Sequence, residues 1–377
     1  MSQSQPRLLH VFSTFNPGGP QVRAVQLMNA WGSSFAHSIV SVGHGELAAR
    51  AGLETSLSIE FPDFPDLKQG SLPSRLRAIR NRVAALKPDL VLTYNWGAVE
   101  VVMSQRLFGG PPLVHHEDGF GPDESETQLG RRVWFRRLAL PAARRLIVPS
   151  HVLERAARDV WRQPAGKVVY IPNGVDAVAF AAVPRSDALP GLDRGDGVLQ
   201  VGTVAGLREE KNLTRLVRVF AQAARGMSAR LVIVGDGPTR ERIQAEARAQ
   251  GIEDRVHLTG FLPRPERYVG LFDVFALSSD TEQFPISLVE AMAANLPAVC
   301  TTVGDVASIV AEENAPYVAP REDEAALARA METLLRDAAL RARLGAANRA
   351  RVAREFSLTA MIARYEREYR SALAPNG

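Results

Sequence analysis

Short apolar runs alternate along the chain with longer segments of helical period. In the first half the runs are "RLLHVFS", "SIVSV", "DLVLTY", "PPLVHH", "RRLIVPS" and "KVVYIPN", with helical patterns such as "QVRAVQLMNAW" and "RLRAIRNRVAAL" between them. Apolar strands separated by helices predict parallel β-α-β units. A second set comprises "VLQVGTVA", "ARLVIVGDG", "RVHLTGF", "VFALSS" and "PAVCTTV", separated by "NLTRLVRVFAQAA", "RERIQAEARAQ" and "LVEAMAA". It begins after "RSDALPGLDRGDG" (185–197), whose Pro, Gly and Asp content suits a linker. The pattern predicts an α/β protein of two Rossmann-like, doubly wound domains, residues 1–185 and 196–355. Ligands of such domains bind outside the carboxyl ends of the strands. The tail "FSLTAMIARYEREYRSAL", with one apolar helical face, comes after the second set is complete.

Composition agrees with this pattern and narrows it. At 377 residues, with 46% hydrophobic and 23% charged, the chain reads as an ordinary globular protein long enough for two cores. The single cysteine, Cys300, excludes an intrachain disulfide and a Cys-based metal site. It follows the apolar run Leu296 to Val299 and reads as a buried, inert thiol. The amino terminus lacks a basic segment followed by a long apolar one, and no run of about 18 apolar residues occurs, so the reading is cytoplasmic. The formal charge of +4 is uneven, with 21 Lys/Arg against 16 Asp/Glu in residues 1–190. The excess lies in segments 74–87 and 131–145, where Arg alternates with apolar residues. These are either two solvated helix faces or an attachment to an anionic membrane surface or a phosphorylated acceptor. Nucleic acid is not expected, because no helix-turn-helix, zinc or aromatic RNA signature accompanies the charge.

Candidate chemistry sits in loops that end strands. "FSTFNPGGPQVRAVQL" places Gly18 and Gly19 between a strand and a helix, as a simple turn or as a phosphate cradle. "LVHHEDGFGPDE" sets His115, His116, Glu117 and Asp118 in succession at a strand end, which points to a site; metal binding lacks supporting ligand spacing. "VGTVAGLREEKNL" places Arg208 and Lys211 between a strand and a helix, either solvated or neutralising a diphosphate. "VIVGDGPTRE" fails the dinucleotide fingerprint because Arg240 stands where the third glycine belongs, so an NAD enzyme is disfavoured.

The stretch "SSDTEQFPISLVEAMAANLPAVC" (278–300) carries two glutamates, Glu282 and Glu290, eight positions apart. Ile286, Leu288, Val289, Ala291 and Met292 suit one buried helical face, which predicts a helix starting near Phe284 to Ile286. Pro285 suits the first turn, and Asn295 can take the left-handed conformation that closes a helix. Free N–H groups at the start of this helix, with Glu282 beside them, suit a ligand that joins an anion to hydroxyls.

Together these segments resemble glycosyltransferase family 4, a retaining, nucleotide-sugar-dependent group with the GT-B fold, over nearly the whole chain. The E-x7-E pattern falls on Glu282 and Glu290. "IPNGVD" (171–176), "GTVAGLREEKN", "VGDGP", "LTGF" and the Tyr-containing tail support it. The resemblance implies two domains facing across a cleft, with a helix over 357–374 returning to the first. It implies a nucleoside-diphosphate sugar as donor, a saccharide or lipid-linked saccharide as acceptor, and no metal cofactor. Glu290 would bind the ribose hydroxyls and Glu282 would face the donor sugar. Backbone around Phe284, Pro285, Ile286, Ser287 and Leu288 would take the diphosphate, with Lys211 neutralising it. His116, or else His115, would contact the sugar from the other domain.

This sequence departs from the family at Gly206, where many relatives carry Arg, at Gln283 and Asn295, where they carry Gly, and at Ser308, where an acidic residue is usual. Rival readings are a nucleotide-sugar epimerase or hydrolase, and a non-catalytic sugar-nucleotide-binding membrane scaffold. The presence of both Glu282 and Glu290 argues against the scaffold.

Overall fold

A computed structural model describes residues 5–43, 47–67, 69–120, 124, 127–192 and 197–374. Its strands, in chain order, are β1 Arg7–Phe12, β2 Ala36–Ser41, β3 Ile59–Glu60, β4 Leu90–Tyr94, β5 Leu113–His116, β6 Arg145–Val148 and β7 Val168–Tyr170. They continue with β8 Leu199–Val204, β9 Ala229–Val234, β10 Val256–Gly260, β11 Val274–Leu277, β12 Ala298–Thr301 and β13 Val318–Ala319. The described residues form two parallel sheets, ordered β3-β2-β1-β4-β5-β6-β7 and β10-β9-β8-β11-β12-β13. Both are doubly wound α/β sheets, as the alternation predicts. In each, the first strand lies between its successor and a strand from far along the chain. Strand order reverses there, between β1 and β4 and between β8 and β11, and the loops beyond those strand ends diverge to leave a crevice.

The chain divides into two compact units, Met1–Pro172 with Met361–Gly377, and Asn173–Ala360. Residues 173–185, grouped by sequence with the first domain, pack with the second. Val175 pairs with Ser357, Asp176 caps the helix Ala177–Ala181, and Phe180 lies in the second unit's core among Tyr268, Leu288 and Phe356. Residues 193–196 of the expected linker lie outside the described residues.

The helix Leu358–Leu373 belongs to the first unit from Met361 onward. Its apolar face carries Met361, Tyr365 and Tyr369, all buried. Tyr369 stacks edge-on to Trp31, with ring centroids 5.4 Å apart, and its hydroxyl lies 2.9 Å from His116 Nε2. His116 Nδ1 lies 3.1 Å from the Thr93 carbonyl, which only accepts. Nδ1 therefore carries the proton, and in the neutral ring Nε2 accepts from Tyr369. Burial keeps the ring neutral by pushing its pKa well below the usual histidine value, with Arg23 adding to the effect.

The Arg-rich segments are also tied down. The helix Leu72–Leu86 buries Leu76, Ile79 and Val83, while Arg75 holds Glu100 through two nitrogens. Arg136 is wholly buried between Glu117 and Glu124, beneath the rings of Trp96, Phe120 and Trp161. It is a core residue and offers nothing to a membrane or an acceptor.

Tyr369→Phe leaves a buried imidazole nitrogen without a donor. The expected loss is about 1–3 kcal/mol, read as a lower thermal midpoint. An unchanged midpoint would show that this hydrogen bond contributes nothing to holding the helix.

Candidate active site

The crevice of the second sheet lies between the loop after β8 (205–212) and the loop after β11 (278–285). Lys211 ends a short 3-10 turn, Glu209–Lys211, and the Asn212 side chain then caps the helix Leu213–Ala223 by accepting from Arg215 N. The lysine is thereby held at the start of a helix and aimed across the crevice. Its Nζ lies 2.5 Å from Glu282 Oε1. Ser279 Oγ donates to the same carboxylate oxygen at 2.8 Å. Asn212 donates to Asp280 at 3.0 Å, and the Ser278 hydroxyl donates to the carbonyls of Lys211 and Asn212, both at 3.0 Å. Thr203, Lys211, Ser278, Ser279, Glu282 and Ser287 supply the polar lining of a small open recess.

Two glycines hold these loops in place. Gly235 adopts φ +145°, and a Cβ there would sit 1.8 Å from the Ala205 carbonyl oxygen. Gly304 adopts φ +52°, and its Cβ would sit 2.0 Å from the Glu282 carbonyl oxygen. Any side chain at either position would push a site loop away. Gly206 differs from both. A Cβ there would meet Arg208 Nε at 3.5 Å, an ordinary contact, so the Arg208 side chain covers space that a larger residue at 206 would use. Arg208 is 70% exposed, and its Nη1 lies 3.8 Å from Glu210 Oε1.

The helix after Glu282 runs Ile286–Ala293 with Pro285 preceding it, and Asn295 takes φ +65°, as the sequence predicts for its end. Leu288, Val289, Ala291 and Met292 are buried, and Ile286 is half-buried. The N–H groups of Ile286 and Ser287 precede any helical acceptor. Phe284 anchors the approach by packing edge-on against Phe356. Glu290 lies one turn into the helix, half-buried, near Glu266 and Tyr268. Burial, and then the Glu266 charge, push its pKa up to about 7. Cys300 is buried and unpaired, and burial first, then Glu282, raise its thiol pKa well above the ordinary value.

The first unit places its candidates differently. Gly18 and Gly19 are exposed at the start of the helix Gly19–Trp31, open to a ligand. His115 and His116 do not follow β5; they are its last two residues, on opposite faces, and both are 0% exposed. His115 Nδ1 meets Thr93 Oγ1 at 2.8 Å, and its Nε2 lies 3.5 Å from Glu117 Oε2. Glu117 is ionised by its surroundings despite its burial, since His115 and Arg136 lower its pKa. Asp118 pairs through both oxygens with Arg23, and its backbone N–H donates to Asn95 Oδ1 at 2.7 Å. His115, His116 and Glu117 thus lie in the core with Asp118 at its edge, held by Thr93, Tyr369, Arg136 and Arg23, and neither histidine ring is turned outward. Residues 121–123 of this loop lie outside the described residues.

Sequence reasoning missed Ser279 and Gly304. Ser279 lies within the quoted acidic stretch, three residues before Glu282. Gly304 lies 22 residues beyond Glu282, and no local pattern marks it.

Residues 192–351 match the family of glycosyl transferases group 1, and residues 18–174 match the glycosyl transferase 4-like domain. The chain is 29% identical over 314 residues to the putative glycosyltransferase EpsF of Bacillus subtilis, covering 79% of this chain and 80% of that one. It is 28% identical over 302 residues to 2-deoxystreptamine N-acetyl-D-glucosaminyltransferase of Streptomyces fradiae, covering 75% and 71%. Among solved structures, sucrose-phosphate synthase of Thermosynechococcus elongatus superposes with a TM-score of 0.79 at 21% identity, covering 97% of this chain and 98% of that one. Anabaena HepE in complex with UDP does so with a TM-score of 0.79 at 19% identity, covering 97% and 100%. Identities this low show the fold, which is GT-B. Family matches to both halves, with relatives aligned across most of the length, make the chain a glycosyltransferase, and it belongs to the group 1, family 4-like branch of the GT-B enzymes.

Proposed function

We propose that this glycosyltransferase moves a hexose from a nucleoside-diphosphate sugar to a saccharide or lipid-linked saccharide, keeping the anomeric configuration. The observation that carries the reading is the Lys211–Glu282 pair beside the start of the helix Ile286–Ala293, with Glu290 one turn into that helix. Each group meets one part of such a donor. The free N–H groups of Ile286 and Ser287 and the positive helix end suit the diphosphate. Lys211 is a point charge that neutralises it as it leaves, and an arriving diphosphate competes with Glu282 for that charge. Glu282 is then released toward the sugar. Glu290 accepts from the ribose hydroxyls. The leaving phosphate takes the proton of the acceptor hydroxyl as that oxygen attacks from the same face. Neither His116 nor His115 enters the reading, since each ring is enclosed.

A nucleotide-sugar donor is supported by the related Anabaena HepE, whose crystal structures are complexes with UDP and with UDP-glucose. Other relatives are a putative colanic acid biosynthesis glycosyltransferase and a 2-deoxystreptamine glucosyltransferase. An acceptor carried on lipid would place the enzyme peripherally at a cytoplasmic membrane face. No helix among the described residues is long and apolar enough to cross a membrane.

A thermal-shift screen over nucleotide sugars, beginning with UDP-glucose, tests donor binding. The product's anomeric configuration by NMR then tests the mechanism: retention is expected, and inversion overturns it. Transfer is expected to persist in EDTA, because the lysine and the N–H groups carry the leaving group; loss of activity in chelator would remove the metal-free part alone.

Glu290→Ala should weaken nucleoside diphosphate binding by about 1.5–3 kcal/mol, as for hydrogen bonds to a charged group. Calorimetry also gives a pH test. The ionised carboxylate is the better acceptor and its pKa is raised to about 7, so affinity should fall about tenfold between pH 8 and pH 6. Glu290→Gln should flatten that dependence. Unchanged affinity in both variants would remove Glu290 from the site.

Arg208 stands in for a cation at position 206. Arg208→Ala and Arg208→Lys should each slow transfer by about ten- to a thousandfold with less effect on donor binding. Gly206→Arg should restore the rate of Arg208→Ala. If Arg208→Ala transfers at the unmodified rate while Lys211→Ala is crippled, Arg208 is a solvated loop residue.

A further inference from the structure

The loop 278–285 carries a second carboxylate, Asp280, two residues before Glu282. Both of its oxygens are engaged from across the crevice. Oδ1 lies 2.8 Å from Arg215 Nη1, and Oδ2 accepts from Asn212 Nδ2 at 3.0 Å. Its backbone N–H donates to the Glu210 carbonyl at 2.8 Å. Asp280 therefore grips the chain on both sides of Lys211, at the residue before it and at the residue after it.

Asn212 sets the direction in which Lys211 leaves the backbone. It takes φ +42°, in the left-handed region that Asn visits with the help of local hydrogen bonds. Its Oδ1 accepts from Arg215 N and from Thr214 Oγ1, both at 3.2 Å, so its Nδ2 is the end that meets Asp280. A carboxylate only accepts, which suits this amide and the guanidinium at once. Arg215 is 11% exposed and also donates to the Ser278 carbonyl at 3.0 Å. Glu324 lies 3.6 Å from its Nε but is held closer by Arg218, at 2.6 Å. Without Asp280, Arg215 would lose its nearest carboxylate and Asn212 an acceptor. At 37% exposure the Asp280 charge is partly screened, so it acts more through geometry than through attraction.

We propose that Asp280 is a positioning residue for sugar transfer. By holding Asn212 and Arg215 it fixes the backbone bend beside Lys211, and so keeps the lysine where it neutralises the diphosphate of the donor. Glu282, not Asp280, meets the lysine directly. The inference rests on the role given to Lys211 in the reading above.

The test is calorimetry on the full chain with whichever of UDP, GDP and ADP binds most tightly, run well below the thermal midpoint of each variant. Asp280→Asn keeps the shape but turns an N–H donor toward Asn212 or Arg215, so affinity should fall about tenfold. Lys211→Ala should lower it at least as much. Because Asp280 acts through the lysine, adding Asp280→Asn to Lys211→Ala should cost less than about a further twofold. Asn212→Asp alone sets two carboxylates against each other and should weaken binding as well. Joined with Asp280→Asn, it gives every donor an acceptor again at unchanged net charge, so affinity should return to within about threefold of the parent. This swapped pair also covers the case in which Asp280→Asn does not fold. Parental affinity in Asp280→Asn, an equal loss with and without Lys211, or a swapped pair no better than its single variants would each overturn the proposal and leave the role of Lys211 standing. Parental affinity in Lys211→Ala would overturn both.

Discussion

The second sheet reverses its strand order between β8 and β11, and the candidate site depends on that reversal. Lys211 and Glu282 are 71 residues apart in the chain and 2.5 Å apart in space because their strands are neighbours whose helices leave in opposite directions. The divergence leaves a recess that no side chain fills, so polar groups at its mouth can serve a ligand. Two backbone contacts that only glycine permits, at Gly235 and Gly304, hold its walls at their spacing. The hydroxyls of Ser278 and Ser279 then bind one loop to the other and to the carboxylate.

Charge is handled in opposite ways in the two units. In the second, burial and then the nearby Glu266 carboxylate raise the pKa of half-buried Glu290 to about 7. A group left short of partners in this way gains from a ligand that brings hydroxyl donors. In the first unit several charged groups are buried deeper and are paired. Arg136 sits between Glu117 and Glu124, and Arg23 meets both oxygens of Asp118. Such pairs contribute little net stability, but removing one partner strands the other, so they make one packing arrangement far better than its competitors. The buried histidines belong to that framework.

The same framework explains how the carboxyl-terminal helix attaches. Tyr365 and Tyr369 are large, buried and tied by ring contacts to His116, which is itself held by Thr93 at the sheet. An apolar face alone would accept several registers of the helix. A hydroxyl that must meet one imidazole nitrogen accepts one.

The alternation of strands and helices made both doubly wound sheets legible, because the period of the side chains is a local property of the backbone. The helix from Ile286, its closure at Asn295 and the burial of Cys300 were readable for the same reason, and the spacing of Glu282 and Glu290 marked the site. The fate of residues near strand ends was not readable. "HHED" and "RRVWFRR" look like a polar loop and a basic face in sequence, yet His115, His116, Glu117 and Arg136 are core. Whether a charged residue is exposed depends on partners brought from elsewhere in the chain, and Arg136 finds its carboxylates 19 and 12 residues away. Gly304 was silent for a related reason, since only the packed loop shows what its missing Cβ would strike. The sequence by itself determined the layers, the helix beneath the glutamates and the kind of chemistry; the tertiary structure decided which polar residues face a ligand, because that choice is made by long-range pairing and close packing.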